Sequence, residues 1–276
     1  MTASRFLPAD PADFLRSIVP LALLAVGAAF PVGRIAILVV LGVGAVIAIG
    51  RHAPVRWTWA AAVPVAVSLA WGTWPAPLGA ADGSDCAATL STVALWRVGE
   101  AVVVLGVLAA IALTMRASRG SLSLRWPAAR YVRYAIAGFV VAGPLALIVG
   151  PWVARPFFGD VGYDVTNLGA IVPALLFAGA NGLMEETIYR GALLGWSARV
   201  MGVGPALVGQ AIVFGLAHSG PDVAGSAVPL MMALGVGGLI AGAIAIRTHS
   251  LLIPIAVHIG LDIPIYYAFA CATRSG

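Results

Sequence analysis

The stretch "LLFAGANGLMEETIYRGALLGW", Leu175 to Trp196, places Glu185, Glu186 and Arg190 inside a run that is otherwise almost wholly apolar. Two adjacent carboxylates and an arginine are costly in such a run, because hydrocarbon offers no water to solvate them. Composition says what kind of chain carries them. Of 276 residues, 61% are hydrophobic and 10% charged, and mean hydropathy is +0.99; a soluble domain is about 25% charged. The apolar stretches recur at the ~20-residue length that takes an α-helix across ~30 Å of hydrocarbon, and none alternates with the period of two that a membrane barrel requires. The expected fold class is therefore all-α, a polytopic transmembrane helical bundle of about eight (seven to nine) membrane segments.

Apolar stretches lie at about residues 17–33, 35–50, 57–76, 92–115, 134–153, 169–198, 203–218, 227–246 and 251–270. The first two are separated only by "VGR" around Arg34, so they form either a tight helical hairpin or one irregular element. Arg5 and Arg16 precede an apolar run as in a signal peptide, but Asp10 and Asp13 interrupt the basic region and further spans follow; the reading is an uncleaved first span. The net charge of +5 comes from arginine alone, and no lysine is present. These arginines sit between apolar runs rather than in one patch, which gives nucleic-acid binding no support and orients the chain in the membrane instead. The loop "RASRGSLSLRWPAARYVRY" carries Arg116, Arg119, Arg125, Arg130 and Arg133 with no acidic residue, so it is expected to be cytoplasmic. The loops with Asp82 and Asp85, Asp160 and Asp164, and Asp222 then face outward. One continuous membrane domain is expected, with residues 1–168 as N-terminal transmembrane helices and 169–270 as catalytic core helices.

Residues four apart share a helix face, and a Glu four positions before an Arg is the favourable order for a pair. Glu186 and Arg190 fit that relation. On a regular α-helix Glu185 is turned about 100° from Glu186, so one carboxylate is neutralised and one is available. A structural ion pair alone would leave Glu185 unexplained. Two later spans carry "FGLAH", with Phe214 and His218, and "HIGLD", with His258 and Asp262, each pair four apart. A single buried histidine is more often a packing residue than a catalyst. Depth changes that balance: Glu186 lies 13 residues before Arg199, His218 14 after Gly204 and His258 11 after Arg247, about 16 to 21 Å from the cytoplasmic ends in each case. Such a layer of Glu, His, His and Asp suits general-base hydrolysis or metal ligation: a carboxylate to deprotonate water, and imidazoles to stabilise an oxyanion or hold a metal.

"EETIYR", "FGLAH" and "HIGLD" resemble the ordered motifs E-E-x-x-x-R, F-x-x-x-H and H-x-x-x-N/D of the CAAX-protease and bacteriocin-processing family of intramembrane proteases. The resemblance spans about Ala170 to Ala268 and implies peptide-bond hydrolysis within the membrane, with Glu185 activating water and His218, His258 and Asp262 assisting. Asp262 departs from the Asn of the prenyl-protein branch, because an ionised carboxylate has no amide hydrogen to donate. Family members are described both as metalloproteases and as metal-independent glutamate proteases. Zinc, if used, would draw on His218, His258 and either Glu185 or Asp262. No HExxH motif is present, and Asp262 is equally placed to orient the His258 ring, so the expectation leans to no cofactor.

Arg97 and Glu100 are expected to form a shallow structural pair, His52 and His249 to be solvated, and Gly238 and Gly242 to permit close helix packing beside the site. Pro173, Pro254 and Pro264 are candidate kinks. Cys86 and Cys271 are expected to be free thiols, with a disulfide between them as the alternative.

The leading functional expectation is an intramembrane endopeptidase acting on a membrane-embedded or lipidated peptide or protein in a bacterial plasma membrane. The catalytic set is Glu185, Glu186, Arg190, His218, His258 and Asp262. The alternative is a catalytically silent relative serving as a scaffold or in peptide immunity. A secondary transporter ranks last, since no paired halves are visible.

Overall fold

A computed structural model of the chain describes residues 10–73, 86–158, 168–219 and 228–271, and side chains within these except at 86–90, 150–158 and 267–271. The expected exterior loops at Asp82, Asp85, Asp160, Asp164 and Asp222, and the thiols of Cys86 and Cys271, lie outside what is described. Among the described residues there is no strand, only a single bridge between Leu124 and Ser250.

In their described residues the nine apolar stretches fall mainly on helix. They become α1 (Pro11–Ala29), α2 (Arg34–Gly50), α3 (Arg56–Trp71), α4 (Cys86–Thr114), α5 (Ala129–Phe158), α6 (Ile171–Glu185) continued through α7 (Gly195–Met201), α8 (Val203–Ala217), α9 (Val228–Thr248) and α10 (Leu252–Cys271). Among the described residues six helical segments are long and apolar enough to cross a membrane, one of them the continuous run Leu168–Met201; Val203–Ala217 and Leu252–Tyr266 are shorter apolar helices. The protein is thus all-α and multi-pass. Between α1 and α2 the chain passes through extended Phe30 and a 3₁₀ turn, Pro31–Gly33, which resolves the first pair into two separate helices. Gly202, with φ of 83°, breaks the chain between α7 and α8, a conformation that costs glycine little. Pro173 and Pro254 sit in the first turns of α6 and α10, where no intrahelical bond is lost, so of the three candidate kinks only Pro264 lies inside a helix.

The chain divides into two compact units that interleave in sequence, and the divisions run inside α4 and α6. One comprises Met1–Trp74, Val104–Trp126 and Glu185–Leu251; the other Pro75–Val103, Pro127–Met184 and Leu252–Gly276.

In the first unit α8 packs against α9, α1 and α7, while α2 and α1 both pack on α3. Leu24, Leu41, Val65, Ile188, Leu193 and Trp196 are all buried in its interior. Asp10 starts α1, its Oδ1 accepting from the Ala12 N–H at 2.8 Å ahead of Pro11 in the first turn. The basic 116–133 loop is pinned there through the Leu251 N–H, which donates to the Ser123 carbonyl at 3.1 Å.

In the second unit α5 packs along α10. Ala170, Ala174 and Tyr266 form its buried core with Val93, Phe177 and Ile263 packed around them, and Phe177 stacks on Tyr266 with ring centroids 4.2 Å apart. That stack joins α6 to α10 one turn beyond Asp262 and two beyond His258.

Candidate active site

The glutamate motif does not continue as an α-helix. From Glu186 to Leu194 the backbone is a π-helix, a wider coil that is rare and concentrated at functional sites. The expected 100° turn between neighbouring side chains therefore fails from Glu186 onward, since the wider coil turns less per residue. The pair expected on that face is made nonetheless: Arg190 Nη1 lies 3.2 Å from Glu186 Oε1, and both side chains are only 2% exposed. Glu185, the last α-helical residue, is buried beside them. The distorted segment is tightly held in the first unit. A Cβ added at Gly195 would lie 2.5 Å from the Ser121 carbonyl oxygen, and Trp196 Nε1 donates to Ser121 Oγ at 3.1 Å.

Arg190 reaches α8 as well as Glu186. Its guanidinium carbon sits 4.0 Å from the centroid of the Phe214 ring, and Phe214 also meets Tyr189 edge-on at 5.0 Å. The Phe of "FGLAH" is thus the platform for the arginine of "EETIYR". His218 meets the same ring at 4.8 Å. It lies just past the helix, as the C-cap of α8, rather than within a span. Its Nδ1 is 2.8 Å from the Phe214 carbonyl oxygen. A carbonyl only accepts, so Nδ1 carries the proton and Nε2 is the basic nitrogen of the neutral ring. Gly238 and Gly242 on α9 serve as expected for close packing. A Cβ at Gly238 would meet the Phe214 ring at 3.2 Å, and one at Gly242 the Leu207 side chain at 2.5 Å.

Arg34, read from sequence only as part of a turn, is a buried structural cation. Its guanidinium donates to the carbonyls of Gly27, Ala28 and Leu69 at 2.9, 3.3 and 3.3 Å, the negative ends of α1 and α3. Ser219, next to His218, donates to the same Ala28 carbonyl at 2.9 Å. The end of α8 that carries His218 is in this way tied to the end of α1.

The second unit holds the remaining motif. His258 and Asp262, one turn apart on α10, approach with Nε2 3.5 Å from Oδ2. Asn181 on α6 donates to that same Oδ2 at 2.7 Å, and its nitrogen is 3.4 Å from His258 Nε2. Sequence reasoning missed Asn181; an isolated asparagine four residues before Glu185 was the available signal. Arg97 and Glu100 on α4 do pair, but Glu100 is buried rather than shallow. His52 and His249 are exposed in turns with positive φ, as expected for solvated residues.

A zinc ion would need three or four of these side chains together. Among the described residues, no three His, Cys, Asp or Glu side chains are grouped to hold a metal.

Residues 167–263 match the family model described as Rce1-like: Type II CAAX prenyl endopeptidase Rce1-like. The matched stretch contains all three motifs, and the family is the one they resemble. No curated protein matches the chain, and no solved structure matches it.

Proposed function

We propose, from the match of residues 167–263 to the Rce1-like model, that the chain belongs to the CAAX-protease and bacteriocin-processing family and hydrolyses a peptide bond by a glutamate-activated water. At the level of the family it is a multi-pass, CAAX-protease-like membrane endopeptidase; the catalytic type, the residue roles and the substrate are the proposal. Glu185 takes a proton from water as the oxygen attacks the scissile carbonyl, then passes that proton to the leaving amine. His218 and His258 hold the water through an unprotonated ring nitrogen or, once protonated, stabilise the oxyanion, and Asp262 orients His258. Glu186 and Arg190 hold the π-helical segment from which the base projects. The substrate is a membrane-embedded or lipidated peptide or protein, a prenylated chain among the candidates, and the location a bacterial plasma membrane.

The observation that carries this division of labour is the Glu186–Arg190 pair. With its arginine committed to Glu186 at 3.2 Å and to the Phe214 face, the neighbouring buried carboxylate is the better base, since a carboxylate paired to arginine is a weaker proton acceptor. Metal-free chemistry is part of the reading.

The test is cleavage of a peptide library by purified protein beside its Glu185→Gln variant. Turnover by the native chain is expected to fall by roughly 100-fold or more in the variant, with folding retained, and to survive dialysis against a strong chelator. Full activity without Glu185 removes the proposed base. Stoichiometric zinc, whose removal abolishes and whose return restores activity, makes the histidines ligands instead. A folded native chain that cleaves nothing favours the silent scaffold.

A further inference from the structure

Trp57, in the first turn of α3, carries two arginines on one indole. The guanidinium carbon of Arg199, from α7, lies 4.0 Å from its ring centroid, and that of Arg56 lies 5.6 Å from it. The two charges are thus within about 10 Å of each other, inside one screening length in 0.1 M salt. They repel, and an indole attracts each of them without cancelling either. Neither arginine forms an ion pair among the described residues. Asp13 stands at the same end of the first unit, since Ser17 Oγ and Thr58 Oγ1 meet at 3.3 Å, but its carboxylate is paired with Arg16 at 3.5 Å. Asp10 is the cap of α1.

Both cations are nonetheless held in place. Arg56 Nη1 donates to the His52 carbonyl and, at 3.5 Å, to that of Ala53, which fixes it against the end of α2. Trp57 meets Trp196 edge-on at 5.7 Å and packs on the buried Ala48, Val55 and Val200. Arg199 is exposed and donates to no acceptor among the described residues, so its N–H groups face outward for one that the protein does not supply.

The surroundings say what kind of anion fits. α2 presents Val39, Val43, Val46 and Ile47 as exposed side chains, a stripe at helical spacing that faces lipid. It ends one turn beyond Ile47 at the exposed Arg51, and the His52 carbonyl that holds Arg56 follows directly. An anion between these arginines therefore sits at the head of an apolar track, with tryptophan at the boundary, as a phospholipid does at a membrane surface.

We propose that Arg56 and Arg199, on the indole of Trp57 with Arg51 beside them, form a binding site for the phosphodiester headgroup of an anionic phospholipid whose acyl chains lie along the exposed face of α2. The phosphate accepts charge-assisted hydrogen bonds from the two guanidiniums and relieves their repulsion. The site does not depend on the hydrolytic reading.

The test is native mass spectrometry of the full chain in detergent, titrated with dioleoylphosphatidylglycerol, dioleoylphosphatidylcholine or glycerophosphoglycerol, the free headgroup of the first. The native chain is expected to bind phosphatidylglycerol about tenfold more tightly than phosphatidylcholine, with no displacement by the free headgroup at equal concentration. Arg199→Gln and Arg56→Gln are each expected to weaken phosphatidylglycerol binding about fivefold, and the two together about 25-fold, with phosphatidylcholine binding unchanged. Arg247→Gln, which removes the same charge from the end of α9, is expected to change it by less than about twofold.

Equal binding of the two lipids overturns the proposal, because charge then plays no part. Displacement by the free headgroup does so too, since the site would then be one for a soluble phosphate. An Arg247→Gln chain as impaired as Arg199→Gln means diffuse attraction to a basic surface and rejects a defined site. An Arg199→Gln chain that binds as tightly as the native one reduces Arg199 to packing on Trp57. If the paired variant fails to fold, Arg199→Gln alone, at an exposed side chain, supplies the same comparison.

Discussion

Among the described residues each unit of this protein carries an Arg–Glu pair on a helix, and the two are handled differently. In the first unit Arg190 and Glu186 are 2% exposed on each side; in the second Arg97 is 23% exposed while its partner Glu100 is 4% exposed. Arg97 keeps part of its charge at a surface and rests 5.7 Å from the Phe177 ring. Arg190 has no such outlet and lies at 4.0 Å on Phe214, with Tyr189 at 5.9 Å on another side. A fully buried guanidinium is tolerated when carboxylate and aromatic faces together replace its water. The contrast separates charge that anchors a helix from charge that must be held inside the protein, next to a carboxylate proposed for chemistry.

The largest effect expected from breaking this contrast is Arg190→Leu. It leaves Glu186 buried without its cation and should destabilise by about 3 to 5 kcal/mol, measured as denaturant or thermal unfolding in detergent. The double change Glu186→Leu with Arg190→Leu should cost clearly less than Arg190→Leu alone. A loss under about 1 kcal/mol for the single variant would mean that water reaches the pair.

Next comes the frame that holds the π-helix. Gly195→Ala puts a methyl against the Ser121 carbonyl, where an added Cβ would lie at 2.5 Å, and should cost about 1 to 3 kcal/mol through displacement of the 119–122 turn. Full stability there would show that the turn yields freely.

Arg97→Gln is expected to have the smallest effect, about 1 kcal/mol, because the lost charge is part-exposed and screened while the glutamine amide still offers the buried Glu100 a donor. A loss as large as that of Arg190→Leu would erase the distinction between the two pairs.

Much of this was legible before any coordinates. A run of apolar residues near 20 long has few options other than a membrane helix, so the spans and the all-α class follow from composition and length. The three motifs are local, four-residue relations, and the pairs at Glu186–Arg190, Phe214–His218 and His258–Asp262 each meet in space as their spacing implies. The π-helix was not legible, because the same residues suit an α-helix and the difference between the two coils is a register of backbone hydrogen bonds. Nor was Asn181, which shares no motif and acquires meaning only from a carboxylate 81 residues later.

What the sequence by itself determined is thus what short-range geometry and the solvent demand: which stretches are helical and which polar residues share a turn. The tertiary structure alone decided which helices exchange polar contacts. It placed Arg34 at the carbonyl ends of α1 and α3, Arg190 on the face of Phe214 and Asn181 on Asp262. In lipid such contacts cannot be supplied by water. Each buried polar group must find its partner on whichever helix packing brings near, and that choice is written in no single stretch of the chain.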